Sequence, residues 1–256
     1  MTRRVTHAIG LLLLIASFVV APQQPVRAAT LTAGSAAELI GAITLANTVA
    51  GADTIVLTTN ITLTSVVDTG EGSTGLPAIT SDVTIDGRGF TITRAAGAPD
   101  FRILRVAGGG NLTLLNVTIN NGSESIGGGI LNRGTLKITN STLSGSAADF
   151  GGGVANINGT LTITNSTLSG NAATGAGGGV YNDSATLTIT HSTLSGNAAS
   201  GGSGGGIYNT NGVLTITNST FSGNTAGDSG GGVLNTSGAT ITITNSTLSG
   251  NAASGG

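Results

Sequence analysis

From residue 111 onward, apolar residues alternate with Thr in runs of three to five, and the runs return at a nearly constant interval. The units begin at Leu112, Leu136, Leu161, Leu187, Leu214 and Ile241, so successive starts lie 24, 25, 26, 27 and 27 residues apart. Within one unit, Leu161 and Ile163 are followed by Leu168 and then Val180. Period-two alternation in short runs rich in Thr, Ile and Leu, broken by Gly and Asn, predicts strands and turns. A repeat of this length predicts a solenoid, because one unit cannot bury its apolar face alone. The fold class expected is all-β: a right-handed parallel β-helix with three short strands per coil and an N-terminal helical cap. The hand follows from the rule for parallel crossovers.

Stacking the coils at about 4.8 Å aligns like residues in columns. Four inner columns are expected. The first is Leu112, Leu136, Leu161, Leu187, Leu214 and Ile241, and the second Leu114, Ile138, Ile163, Ile189, Ile216 and Ile243. The third is Ile119, Leu143, Leu168, Leu194, Phe221 and Leu248, and the fourth Ile130, Val154, Val180, Ile207 and Val233. Two corners carry Asn. Asn116, Asn140, Asn165, Asn218 and Asn245 hold one, with His191 standing in once. Asn132, Asn156, Asn182, Asn209 and Asn235 hold the other. Asn tolerates a left-handed corner, and its amide can bond to the Asn above and below, so both sets are expected as structural ladders. Most Asn-x-Ser/Thr triplets fall on these corners and read as corners rather than glycan acceptors. The Gly triplets, such as Gly177–Gly179, predict tight bends with close backbone contact. They lack the Lys of a phosphate loop.

Residues 29–110 are less regular. Ser35 precedes an apolar-periodic stretch (Ala36, Leu39, Ile40, Ile43, Leu45) that predicts a capping helix. Strand-like runs follow at Thr54–Leu57, Ile61–Leu63, Val83–Ile85, Phe90–Ile92 and Ile103–Val106. An atypical end of this kind shields the first coil's edge. Ahead of it stand Arg3 and Arg4, an apolar run from Ala8 to Val20 and a Val26-x-Ala28 pattern. Together these predict a signal peptide over residues 1–28, cleaved after Ala28. The apolar run is shorter than the roughly 20 residues of a membrane span. The domains expected are therefore the signal peptide, a cap with irregular first coils over 29–110, and regular repeats over 111–256, the last incomplete. Because the sequence stops part-way through a unit, a longer protein with further coils and an anchor is expected. In the chain as given, residues from 240 onward are expected to fray or self-associate.

Charge narrows the partners. Removing residues 1–28 leaves six of the nine basic residues against 11 acidic ones, a net charge of about −5. That excludes nucleic acid and anionic membrane surfaces as expected partners. No Cys is present, so an exported chain must rely on its core and its hydrogen-bond ladders.

The stretch from Ala36 to Asn47, then Gly51-Ala-Asp-Thr-Ile-Val-Leu57, then Leu76 to Gly87 resembles the N-terminal module of exported bacterial β-helix proteins. In those proteins it often opens with a Cys-Ser-Leu-Arg-Glu-Ala signature, of which only the helix-like remainder is present here. Phe221-Ser-Gly-Asn followed by Gly230-Gly-Gly-Val233 is similar to the repeat of polymorphic outer-membrane proteins, with Leu usually replacing the Phe. The resemblance covers nearly all of the mature chain. It implies a pectate-lyase-like β-helix, secreted or at the bacterial cell surface, and often adhesive.

The chemistry of such folds is frequently polysaccharide cleavage, which needs paired carboxyl groups or a calcium site with a base. Beyond residue 111 the acidic residues are Glu124, Asp149, Asp183 and Asp228 alone. Asp149 and Asp228 hold the same place in units three coils apart, about 14 Å at the strand spacing. No catalytic residue, cofactor or metal ligand is therefore expected. The expected role is structural or adhesive, toward an extracellular glycan or a host or neighbouring cell surface. Asp82, Asp86, Arg88, Arg94, Asp100, Arg102 and Arg105 crowd within 24 residues. They form the candidate carbohydrate site of the alternative reading, a polysaccharide-binding or -degrading protein. A third reading comes from Thr160-Leu-Thr-Ile-Thr164 and its counterparts, which predict Thr columns on one flat face, similar to ice-binding surfaces.

Overall fold

A computed structural model describes residues 28–255. The expected signal peptide lies outside the described residues except for Ala28. The chain is a parallel β-solenoid whose strands form four sheets, numbered I to IV in the order one coil visits them. Sheet I has nine strands, from Thr30–Ala33 and Ala52–Leu57 through to Thr240–Thr244. Sheet II has eight, from Ile61–Leu63 to Thr247–Ser249, and sheet IV six, from Leu104–Val106 to Val233–Thr236. The named strands pair in parallel, each with its counterpart one coil away.

The four apolar columns stack in register. Leu136 lies beside Leu161, Leu143 beside Leu168, and Val154 beside Val180. From Leu112 to Phe221 their members are at most 1% exposed. Full burial of each such side chain contributes about 1.5–3 kcal/mol. Like-on-like stacking works here because parallel pairing repeats the same pocket at every coil. In the last coil Ile243 and Leu248 are exposed, since their sheets pair on one side only.

The three strands expected per coil are sheets I, II and IV. The structure adds sheet III, five short strands from Ala147–Phe150 to Ala252–Ala253. These run through the Gly/Ala/Ser stretch, where Ala and Gly give no alternation to read. The chain also forms an edge strand, Thr30–Ala33, ahead of the helix.

The helix spans Ala36–Thr48. Ser35 Oγ accepts from Glu38 N–H, while the Glu38 carboxylate reaches back to Gly34 N–H. This reciprocal pair satisfies one donor that the first turn leaves free, Glu38 N–H, and the N–H of Gly34 just ahead of the N-cap. Leu39, Ala42, Ile43 and Ala46 form the buried stripe that covers the end of the coil stack. Leu45, expected on that stripe, is 48% exposed. Six residues past Leu39, it has turned about 240° away, and the small Ala42 and Ala46 take the contact instead.

Candidate functional site

The seven charged candidates fall on three parts of the coil. Asp82 and Asp86 stand on outward positions of sheet I. Asp82 accepts from Asn111 Nδ2, and Asp86 lies 3.6 Å from Arg88 Nε. Arg88 itself sits in the left-handed region, at φ 48°. Arg94 ends the sheet II strand Thr91–Arg94, and Asp100 lies in the loop that follows. The Arg94 guanidinium donates to Asn121 O and Ala98 O and stands 3.6 Å from Asp100. Arg102 and Arg105 lie at sheet IV. The sequence cluster is therefore not one patch, because a turn of the coil separates neighbours in sequence onto different faces.

Arg102 and Arg105 belong to a clasp whose other members come from both earlier and later in the chain. Residues 67–75 form a finger closed by Asp68 and Thr74, whose amides and carbonyls bond to each other. Arg105 donates to Asp68 Oδ2 at 2.7 and 3.1 Å and stands 3.8 Å from Glu71. Arg133, one coil on, reaches Glu71 Oε2 at 2.8 Å. Beneath them Arg102 is 1% exposed and donates to Glu71 O, Thr74 Oγ1 and Ile126 O. Burial lowers the Arg102 pKa from its ordinary value, opposed chiefly by Glu124. Burial likewise raises the Asp68 pKa, but the Gly70 N–H and Arg105 outweigh it and hold the carboxyl below its ordinary value. These charges fasten a loop to the solenoid; their hydrogen-bonding capacity is largely spent within the protein.

The two Asn corners differ. Asn132, Asn156, Asn182 and Asn209 are fully buried, and each Nδ2 donates to the next Oδ1 at 2.6–2.7 Å, ending on Asn235. At the other corner Asn140, Asn165, Asn218 and Asn245 are exposed, and with Asn116 they hold φ between 48° and 51°. That corner uses Asn for its backbone, not as a side-chain ladder. Among the described residues, the side-chain hydrogen bond at that corner joins Asn218 Nδ2 and His191 Nε2 at 3.1 Å. The buried bonds at this corner belong to the following Ser: Ser141, Ser166, Ser192 and Ser219 each accept from the N–H of the coil before.

A further ladder, absent from the sequence expectations, runs through Asn171, Asn197, Asn224 and Asn251. The first three each donate from Nδ2 to the next Oδ1 at 2.8–3.0 Å, Asn251 Nδ2 donates to Phe221 O, and each Oδ1 also accepts a backbone N–H from the preceding coil. The signal is the invariant Ser-Gly-Asn of the later units. In the unit that begins at Leu136, Ser146 takes the Asn place, and its Oγ accepts from Gly122 N–H.

The remaining acidic groups are dispersed. Asp149 accepts from Thr174 Oγ1, Asp183 from Ser184 Oγ and Asp228 from Ser203 Oγ. Among the described residues no three His, Cys, Asp or Glu side chains are placed to hold a metal ion. A shallow depression of about 400 Å³ is lined by Asp100, Glu124 and Asp149 with small residues. Glu124 there is bonded to Ser73 and Ser125 amides. Phe150, Tyr181 and Tyr208 form a stack at 5.4 and 5.5 Å between centroids. The two Tyr rings are nearly parallel, at 12°, so their facing surfaces are covered by each other.

Outward on sheet I the Thr columns are in register: Thr160 beside Thr186, Thr162 beside Thr188 beside Thr215 beside Thr242, and Thr164 beside Thr190 beside Thr217 beside Thr244. Val213 and Lys137 interrupt them. Among the described residues no helix is long and apolar enough to cross a membrane.

Comparison with protein-family models, curated proteins and solved structures finds no match to this chain. What is shown is a repetitive parallel β-solenoid scaffold, an architecture consistent with the pectate-lyase-like superfamily but not specific to it or to any named repeat type.

Proposed function

We propose that the chain is an exported, surface-associated solenoid with a structural or adhesive role and no catalytic activity, presenting its outer faces to an extracellular glycan or to a cell surface. One observation carries this reading: the outer surface repeats in register, coil after coil, while most of the charged groups are paired off in local bonds. A repeated uncharged surface suits many weak, simultaneous contacts, and avidity then replaces a single strong site. The test is to localise the protein by antibody on intact producing cells and to screen the purified chain on a glycan array. Surface exposure with binding that survives high salt supports the reading, because hydroxyl contacts are not screened as ion pairs are. An intracellular location, or binding abolished by salt, contradicts it.

A second reading rests on the Thr columns of sheet I. They set hydroxyls and methyls about 4.8 Å apart between coils and about 6.6 Å apart along a strand, a fixed lattice able to order water as an ice face does. Inhibition of ice recrystallisation, lost on Thr188→Lys, supports this reading. Its absence removes it.

A further inference from the structure

Asp53 stands where the columns call for an apolar residue. It pairs with Val83, which pairs with Leu112, so it heads the first inner column of the solenoid. Yet it is 2% exposed, and its Oδ2 has no hydrogen-bond partner among the described residues. A buried carboxylate with an orphaned oxygen is costly and calls for an explanation. Its other oxygen, Oδ1, accepts from the backbone nitrogen of Ala29 at 2.8 Å. Ala29 is also the residue that the expected signal-peptide cleavage turns into a new chain start. In the intact chain that nitrogen is an amide with a single proton, sufficient for one of the two carboxylate oxygens.

We infer that Asp53 is the receptor for the mature N-terminus: after cleavage at Ala28–Ala29, the α-ammonium of Ala29 binds both oxygens of the Asp53 carboxylate and locks the edge strand onto the cap. The chemistry balances. Water gives its hydroxyl to the Ala28 carbonyl carbon and a proton to the Ala29 nitrogen, and the proton of the new Ala28 carboxyl completes the ammonium. A signal peptidase catalyses the hydrolysis. The ammonium then has three protons where the amide had one, and its charge offsets that of the buried carboxylate. The position is already prepared, because Thr54 N–H donates to Ala29 O at 2.8 Å and Thr30 pairs with Thr54. Strand Thr30–Ala33 is the outermost of sheet I and leads into the helix that caps the stack. Fastening its first residue therefore fastens the whole N-terminal end. Before cleavage the same end has one hydrogen bond and an uncompensated charge, so removal of the leader completes the cap.

The inference rests on the export reading, and the experiment separates the two. The N-terminus of the exported protein is sequenced, and the chain starting at Ala29 is compared with a chain carrying one extra N-terminal residue, each with Asp53 and with Asp53→Asn. With Asp53, the free Ala29 terminus is expected to shift the unfolding equilibrium about tenfold toward the folded state, the effect of about one added charge-assisted hydrogen bond. Asp53→Asn is expected to erase that difference. The α-amine of the Asp53 chain is also expected to be acylated at least about tenfold more slowly than that of the extended chain, because the ammonium must leave the carboxylate before it can react. This last readout holds even if Asp53→Asn does not fold. Equal stability and equal amine reactivity in the two Asp53 chains would overturn the inference and leave export intact. So would a mature protein that starts at another residue. A protein that keeps residues 1–28 would overturn both.

Discussion

Replacing Asn182 with Ala removes the middle of the buried Asn ladder. The side chain accepts from Asn156 Nδ2 and donates to Asn209 Oδ1, both at 2.7 Å, and also donates to Ala185 O at 3.0 Å. After truncation Asn156 Nδ2 keeps Thr186 O, and Ala185 O keeps Val213 N–H. Asn209 Oδ1 loses its only donor among the described residues while remaining fully buried. One orphaned acceptor costs about 1–3 kcal/mol, and the small void left by the carboxamide adds about 1 kcal/mol. A loss of about 2–4 kcal/mol is well above the ~0.5 kcal/mol of an ordinary surface change. Repeat arrays need not unfold in one step, so the assay pairs the thermal midpoint with amide exchange at Ile207 and Val180. The control is Asn165→Gly at the exposed corner, where φ is 48°. Gly accepts that backbone freely, so stability should stay within about 0.5 kcal/mol. Equal effects at Asn182 and Asn165 would refute the division of the two corners.

Three further outcomes follow from the same geometry. Gly178→Ala should prevent stacking of its coil, since a Cβ there would meet the carbonyl oxygens of Ala198 and Gly205; Gly170→Ala meets no atom within 4 Å and should cost only about 1–2 kcal/mol for its left-handed backbone, as urea unfolding would show. Arg102→Met should free the 67–75 finger, because the buried guanidinium holds Glu71 O, Thr74 Oγ1 and Ile126 O; protease cleavage within the finger should accelerate while sheet II amides stay protected. The finger should also loosen in acid. The folded-state pKa of Asp68 lies below its ordinary value of 3.8, so its stabilisation is complete above that value and is lost as pH falls through the lower, folded one. Amide exchange at Thr74, bonded to Asp68 O, should speed up in that window in the native protein but not in Asp68→Asn.

What the sequence made legible was whatever repeats with an apolar signal. The Leu161 and Val180 columns could be placed because a parallel stack puts identical residues in identical pockets. The Asn182 ladder was legible for the same reason. Sheet III was not, since Ala172 and Ala173 carry no alternation and pair through backbone alone. The Asn171 ladder looked like turn chemistry because Ser146 interrupts it at the start. The charged cluster misled for a geometric reason: in a coil of about 25 residues, Asp82 and Arg102 are near neighbours in sequence and lie on different faces. Asp68, Glu71 and Arg133, which do meet Arg105 or its partners, lie far from it along the chain. No local pattern marks them.

The proposed scaffold binds without catalysing. The most direct measurement incubates the purified chain with a panel of plant, algal and bacterial polysaccharides, scoring both retention on the polymer and the release of reducing ends or unsaturated products. The chain should be retained on at least one polymer, release no product above the buffer control, and behave the same with Asp149→Ala, Asp183→Ala or Asp228→Ala. Product formation abolished by any one of these substitutions would contradict it.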